Sequence, residues 1–338
     1  MTRSRKWLLT AGAGAGVAAS IGILRYPGSA AQFTYKLGND QPAAHPMTAE
    51  SIKAAARVRE ATGGQLDIRV FPNSALGTDN DMLSEARAGA LEFLQIGNNI
   101  LASAIPSAAL EGIPFAFSSY KEMLSAANGE LGSYIAAQAQ KIGLRKFDGS
   151  WYGGTFQTET RDHPVEAPAD FKGLKIRVPP GPLDVGIFKA FGASPTVIPI
   201  TEVYVSLQTH LVDAIEVPLA TVENFKYYEQ TKYVSMTNHN YINYLMVANT
   251  AAWQRLPKKL QDIVDAEFNR AAVAATNAMV GVESSVGGKL RAQGMVFNSP
   301  SLEPFRAVIR DSGLYAQWRT RFDPVGWKML EKTTGKLA

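Results

Sequence analysis

The chain has 338 residues, 46% of them hydrophobic and 19% charged, and no cysteine. The length allows about two domains of ~150 residues each, and the composition is that of a folding globular protein rather than a disordered one. The absent cysteines exclude disulfides, thiolate nucleophiles and Cys-ligated zinc or iron–sulfur centres.

The formal net charge is +4, yet Arg3, Arg5, Lys6 and Arg25 all fall in residues 1–31, which hold no acidic residue. The remainder is formally neutral and has no global nucleic-acid footprint. A basic start, an apolar Ala- and Gly-rich run from Trp7 to Leu24, and the small residues Ser29-Ala30-Ala31 make an export signal pattern. "SRKWLL" resembles a twin-arginine signal with Lys6 in place of the second arginine, so both export routes stay open. "GAGAG" at 12–16 follows no strand and lacks the GxGxxG spacing of a dinucleotide site.

From residue 33 the pattern alternates strand and helix. "FTYKLGN" (33–39) reads as a strand, followed by a helix with Thr48 as N-cap that stops at Gly63-Gly64. "LDIRVFP" (66–72) is a strand, residues 80–89 a short helix, and "LEFLQIG" a strand. Tyr120 to Ile142 has helical spacing, and residues 143–159 are a long extended stretch broken by glycines. "KIRVPPG" ends a further strand in a rigid bend. A helix at 182–191, a strand at 195–200, a helix at 202–209 and a strand at 212–218 follow. Residues 233–250 are extended, Pro257 to Ala292 is a long helix, "GMVFNSP" is strand-like, and helices finish the chain. The rhythm is that of an α/β fold with two patterns, divided near 150 and near 245.

Catalytic constellations are missing: no HExxH, GxSxG or Walker-type loop occurs. His45, His163, His210 and His239 lack metal-ligand spacing and read as loop or hydrogen-bonded structural residues. Asp79 and Asp81 read as helix-start carboxylates. Trp151 and Tyr152 stand beside Gly153 and Gly154, where a ligand could approach backbone closely. Arg161 and Arg177 lie on a stretch stiffened by Pro164, Pro168, Pro179 and Pro180. If Ile176 and Val178 face a core, Lys175 and Arg177 share the other face. Solvent is one destination for each arginine; a planar fork offered to a carboxylate is the other.

"DFKGLKIRVP", "FGASPTVIPITEVYVSLQ", "VDAIEVPLATV" and "YEQTKYVSMTNH", with "FPNSALGTDNDMLSEARAGALEF" and "IPFAF" upstream, resemble the extracytoplasmic solute receptors of TRAP transporters, the DctP-like family. The resemblance covers nearly all of the chain beyond residue 31. It implies an α/β, two-lobed periplasmic binding protein with a ligand cleft between the lobes and a long C-terminal helix spanning them. Residues 32–155 with about 245–285 would form lobe I, and 156–244 with about 286–338 lobe II. The implied ligand is an organic acid held by Arg177, with Arg161 as a second contact and Glu216 and Val217 lining the pocket. Val217 stands where many relatives have Asn, which argues against a heavily hydroxylated ligand such as a sialic acid. Asn39, Asn98 and Asn99 match first-lobe positions. The Pro-Pro-Gly bend would bring Pro180 and Gly181 to the cleft, and Ile200 with nearby aromatics leans toward a compact hydroxy, oxo or aromatic monocarboxylate. A uronate or other sugar acid is the alternative ligand.

No cofactor, metal or nucleic acid is implied; the partners are the organic acid and the membrane permease subunits, and the exported protein is expected to be a monomer. Two other readings stay open: a secreted α/β enzyme with Arg177 as substrate clamp, decided by turnover, and a ligand-sensing partner of a signalling receptor.

Overall fold

The computed structural model describes residues 31–337. All of the expected export signal except Ala31 lies outside them. The strands are β1 (Phe33–Gly38), β2 (Leu66–Phe71), β3 (Phe93–Gly97), β4 (Leu144–Thr160), β5 (Lys175–Val178), β6 (Ser194–Val197), β7 (Ala214–Pro218), β8 (Tyr233–Asn249) and β9 (Val296–Asn298). The helices are α1 (Pro46–Ala61), α2 (Asp79–Ala88), α3 (Asn98–Leu101), α4 (Tyr120–Ala127), α5 (Glu130–Lys141), α6 (Asp184–Ala190), α7 (Val203–Gln208), α8 (Leu219–Asn224), α9 (Thr250–Arg255), α10 (Lys258–Ala292), α11 (Glu303–Asp311), α12 (Leu314–Arg321) and α13 (Pro324–Thr334).

The strands form one sheet in the order β2-β1-β3-β8-β4-β7-β5-β6, with β9 beside β8. Its two halves repeat one plan. β1 runs parallel to β2 and β3 and is closed by antiparallel β8; β5 runs parallel to β6 and β7 and is closed by antiparallel β4. β4 and β8, 17 residues each, pair with one another and run through both halves. Their register shifts between Lys146 and Ser150, Tyr152 and Gly154, and Phe156 and Thr158, so the two halves are joined by bulged, bent ribbons.

Local chemistry sets the boundaries. The first helix starts earlier than Thr48: the side chain of His45 caps Met47 N–H and Pro46 opens the helix, a position where proline's missing donor costs nothing. Thr48 is buried inside and donates to Asn39 Oδ1. Thr78 and Asp81 form a reciprocal capping box at the start of α2. The single helix expected over 120–142 is two, because Asn128 caps the end of α4 and Gly129 begins α5.

Helix α10 buries Leu260, Val264, Phe268, Ala271, Ala275 and Met279, a 3–4 spacing that makes one apolar stripe. The stripe packs on α1 near its start and on α8 near its end, where Lys289 pairs with Glu223 at 2.8 Å. One helix therefore lies along both halves of the sheet.

Of the C-terminal helices, α11 packs on the second half, with Phe305 against Phe171 and Phe191, while the last two reach the first half. α13, expected with the second half, packs on α4, α5 and the Pro106–Gly112 turn. Tyr315 donates to Pro114 O at 2.9 Å, and Lys332 pairs with Glu130 at 2.5 Å. Trp327 and Leu330 are buried in the same large core as Leu110 and Leu131, and that apolar face sets where the helix docks.

Candidate functional site

The carboxyl ends of β1 and β3 face those of β5 and β7, the place where open α/β sheets bind ligands. A cavity of about 400 Å³ lies there. The first half contributes Asp40 and Gln41 after β1, Asp79 at the start of α2, and Gly97, Asn99 and Ile100 at the end of β3. The second half contributes Arg177 and Pro179, Ile200, Val217, Pro218 and Thr221, while Phe156, Ile242 and Tyr244 come from the shared strands. The space is small and its wall largely apolar, as suits a compact solute.

Strand alternation places Arg177. Ile176 and Val178 are fully buried in the large core, so Arg177 points from the opposite face, in register with Ile215. It is only 3% exposed. Its Nε donates to Ile198 O at 2.8 Å, which fixes the plane of the guanidinium. Its two terminal amines have no acceptor among the described residues, and no carboxylate there forms an ion pair with it. Burial pulls its pKa down, while Tyr227, Glu216, Asp184 and Asp79 oppose that; an arginine stays charged regardless. A buried cation with an open fork is costly without an anion. Lys175, two residues away, is half exposed and pairs with Asp213 at 3.2 Å.

The opposite wall is acidic. Asp40 and Asp79 are 5% and 4% exposed. Burial raises Asp40 to about 6, against hydrogen bonds from Gln41 and Tyr244 and the Arg177 charge. Burial also pushes Asp79 well above the ordinary carboxylate range, and the Asp40 charge adds to it. Gln41 Nε2 donates to Tyr244 Oη at 2.8 Å and to Asp40 Oδ2 at 3.1 Å.

Of the residues singled out in the sequence, Arg177, Asn99, Val217 and Ile200 come together around the cavity. The rest stand behind it or away from it. Asn39 is fully buried and accepts from Gln41 N–H at 3.1 Å, holding the lining residue in place. Asn98 accepts from Asn243 N–H at 3.2 Å. Glu216 points from the other face of β7 and bonds His239 at 2.8 Å; burial raises it to about 8 and lowers His239 to about 4. Trp151 is packed in the core beneath α10, and Tyr152 donates to Glu283 at 2.6 Å, so Phe156 and Tyr244 take the aromatic places. Arg161 turns to Leu207 O, away from the cavity. Pro180 and Gly181 are outside the lining, which Pro179 reaches instead.

The residues missed were Asp40, Gln41, Asp79 and Tyr244. Asp40 and Gln41 directly follow β1, so the rule that ligands sit at strand carboxyl ends marks them. Asp79 looked like a capping residue, but Asp81 makes the cap.

The sequence pattern described as bacterial extracellular solute-binding protein, family 7 (DctP), matches residues 37–317. The sialic acid-binding periplasmic protein SiaP of Vibrio cholerae is 30% identical over 254 residues, 75% of this chain and 78% of that protein. The 2,3-diketo-L-gulonate-binding periplasmic protein YiaO of Escherichia coli is 34% identical over 204 residues, 60% and 62% of the two chains. The crystal structure of a TRAP periplasmic solute-binding protein from Roseobacter denitrificans with bound L-galactonate superposes with a TM-score of 0.84 at 27% identity, covering 90% of this chain and 99% of that one.

Proposed function

The chain belongs to the DctP family of bacterial extracellular solute-binding proteins, the periplasmic receptors of TRAP transporters, and on that premise we propose that it captures a compact organic monocarboxylate (hydroxy, oxo or aromatic) and delivers it to the membrane permease without a chemical step. The observation that carries this reading is Arg177: a buried guanidinium, pre-oriented by Ile198 O, with both terminal amines open at the cavity between the halves. The two halves act as lobes that close over the acid, and the shared strands bend.

A charge-assisted bond contributes roughly 1.5–3 kcal/mol net, while micromolar affinity takes about 8 kcal/mol. Arg177 therefore fixes the carboxylate, and the balance comes from the apolar cover of Phe156, Ile200, Val217 and Ile242 and from excluded water. The fixed fork loses less freedom on binding than a mobile one. A uronate or other sugar acid is the second ligand class, favoured by the galactonate bound in the Roseobacter protein; the small space and the apolar Val217 favour the compact acid.

Thermal-shift screening of the purified protein against a carboxylate library tests this. A bound acid in excess raises the melting temperature by mass action, and Arg177→Ala abolishes the rise. A library in which only uncharged compounds bind, or turnover of the bound acid, contradicts the proposal.

A further inference from the structure

The first-half wall of the cavity has acceptors to spare and few donors. Asp40 Oδ1, Gln41 Oε1 and Asp79 Oδ1 are each sealed from solvent and have no hydrogen-bond partner among the described residues, and all three residues line the cavity. Burial holds a proton on Asp79, but one hydrogen cannot answer all three of these oxygens, and most other donors nearby are already used. Gln41 gives its amide hydrogens to Tyr244 Oη and Asp40 Oδ2, which leaves Oε1 as its free end. Tyr244 lies 3.4 Å from Asp40 Oδ2, toward which its hydroxyl points. Asn99 accepts from Ile100 N–H at 3.0 Å, so its Nδ2 is the donor this wall keeps.

Buried acceptors left unmatched cost free energy unless a ligand supplies hydrogens. The opposing wall holds Arg177, whose amines answer one carboxylate. A second carboxylate on the same solute would bring more acceptor oxygens to a wall whose own acceptors, the Asp40 carboxylate among them, are already buried and unmatched. Like charges at such range are strongly unfavourable.

Resting on the receptor reading above, we propose that the solute is a monocarboxylate whose far end donates hydrogen bonds, as a hydroxyl or an ammonium group, to Asp40, Gln41 and Asp79, and that this wall rejects a second carboxylate. Simple oxo and aromatic acids without a donor fall out of the candidate class. An ammonium group would also balance the wall's charge, so hydroxyl and ammonium are separable sources of the same donor chemistry.

Calorimetric titration with matched straight-chain acids of three to six carbons tests this: at each length the plain acid, its ω-hydroxy and ω-amino forms, and the dicarboxylate. The hydroxy or amino acid of the best-fitting length is expected to bind about tenfold or more tighter than both the plain acid and the dicarboxylate. A stronger ω-amino form identifies the ammonium source, and a stronger ω-hydroxy form the hydroxyl. Asp79→Asn, which replaces the carboxyl with an amide that carries two hydrogens and no charge, is expected to narrow the gap to the dicarboxylate. A dicarboxylate that equals or exceeds its hydroxy and amino counterparts overturns the inference, and if its binding still depends on Arg177 the receptor reading survives. Failure of every acid to bind overturns both.

Discussion

Arg177 and Glu159 are both buried charges in the making, and the structure treats them oppositely. Arg177 stays ionised, and on the proposed reading the acid supplies its anion. Glu159 is fully buried on β4 with neither carboxyl oxygen partnered among the described residues. Its register neighbours, Ile215 and Val234, belong to an apolar cluster. Burial raises its pKa well above the ordinary value, and the Glu216 charge adds to that. The folded protein thus holds this proton more tightly than the unfolded chain. No penalty exists below the ordinary glutamate pKa, and stability falls as pH rises above it toward the raised value. Glu159→Met should stabilise the fold by about 1–3 kcal/mol at pH 8 and by much less at pH 4. Denaturant titrations at the two pH values check this; equal effects at both would contradict it. Strand alternation put Arg177 and Lys175 alike opposite two core residues, and it was the family resemblance that singled out Arg177; Lys175 is half exposed. Glu159 and Asp79 were not legible, since a carboxylate beside a turn or in an apolar strand looks like a surface group until tertiary packing buries it.

At the scale of elements, the join between the halves rests on the bulged part of β4. Gly154 has φ +118°, and a Cβ there would lie 2.7 Å from Pro218 Cβ. The next residue, Thr155, donates its N–H to Glu283 of α10 at 2.7 Å, and the same carboxylate accepts from Tyr152. The helix thereby holds the strand where it bends. Gly154→Ala adds backbone strain and a contact with proline, and should lower stability by more than about 1 kcal/mol; an unchanged melting temperature would count against this. Element types were readable from periodicity through most of the chain. The Asn128-Gly129 break was hidden because the apolar spacing continues across it, and the docking of α13 because an amphipathic face does not name its partner.

Across the whole molecule, the two halves touch at Gly181. A Cβ there would sit 3.0 Å from Asn99 O on the opposite side and 3.1 Å from Asp184 Oδ2. Gly181→Ala should therefore hinder the closed form. The expected result is about tenfold weaker binding, the cost of roughly 1.4 kcal/mol in closing, with the ligand-free melting temperature nearly unchanged. A variant that binds as tightly as the wild type would show that closure leaves room at this point. The resemblance pointed to the cleft and to Arg177; which side chains fill its first-half wall depended on where β1 and α2 end, and that is set by tertiary packing.

On the proposed reading, Arg177 clamps the carboxylate of the transported acid. The most direct measurement is a calorimetric cycle: the tightest-binding acid from the screen and its primary amide, each titrated into the wild type and Arg177→Ala. Loss of about tenfold to 150-fold in affinity is expected for the amide on the wild type, with little further difference between acid and amide once Arg177 is gone. Equal discrimination against the amide by both proteins would contradict the clamp.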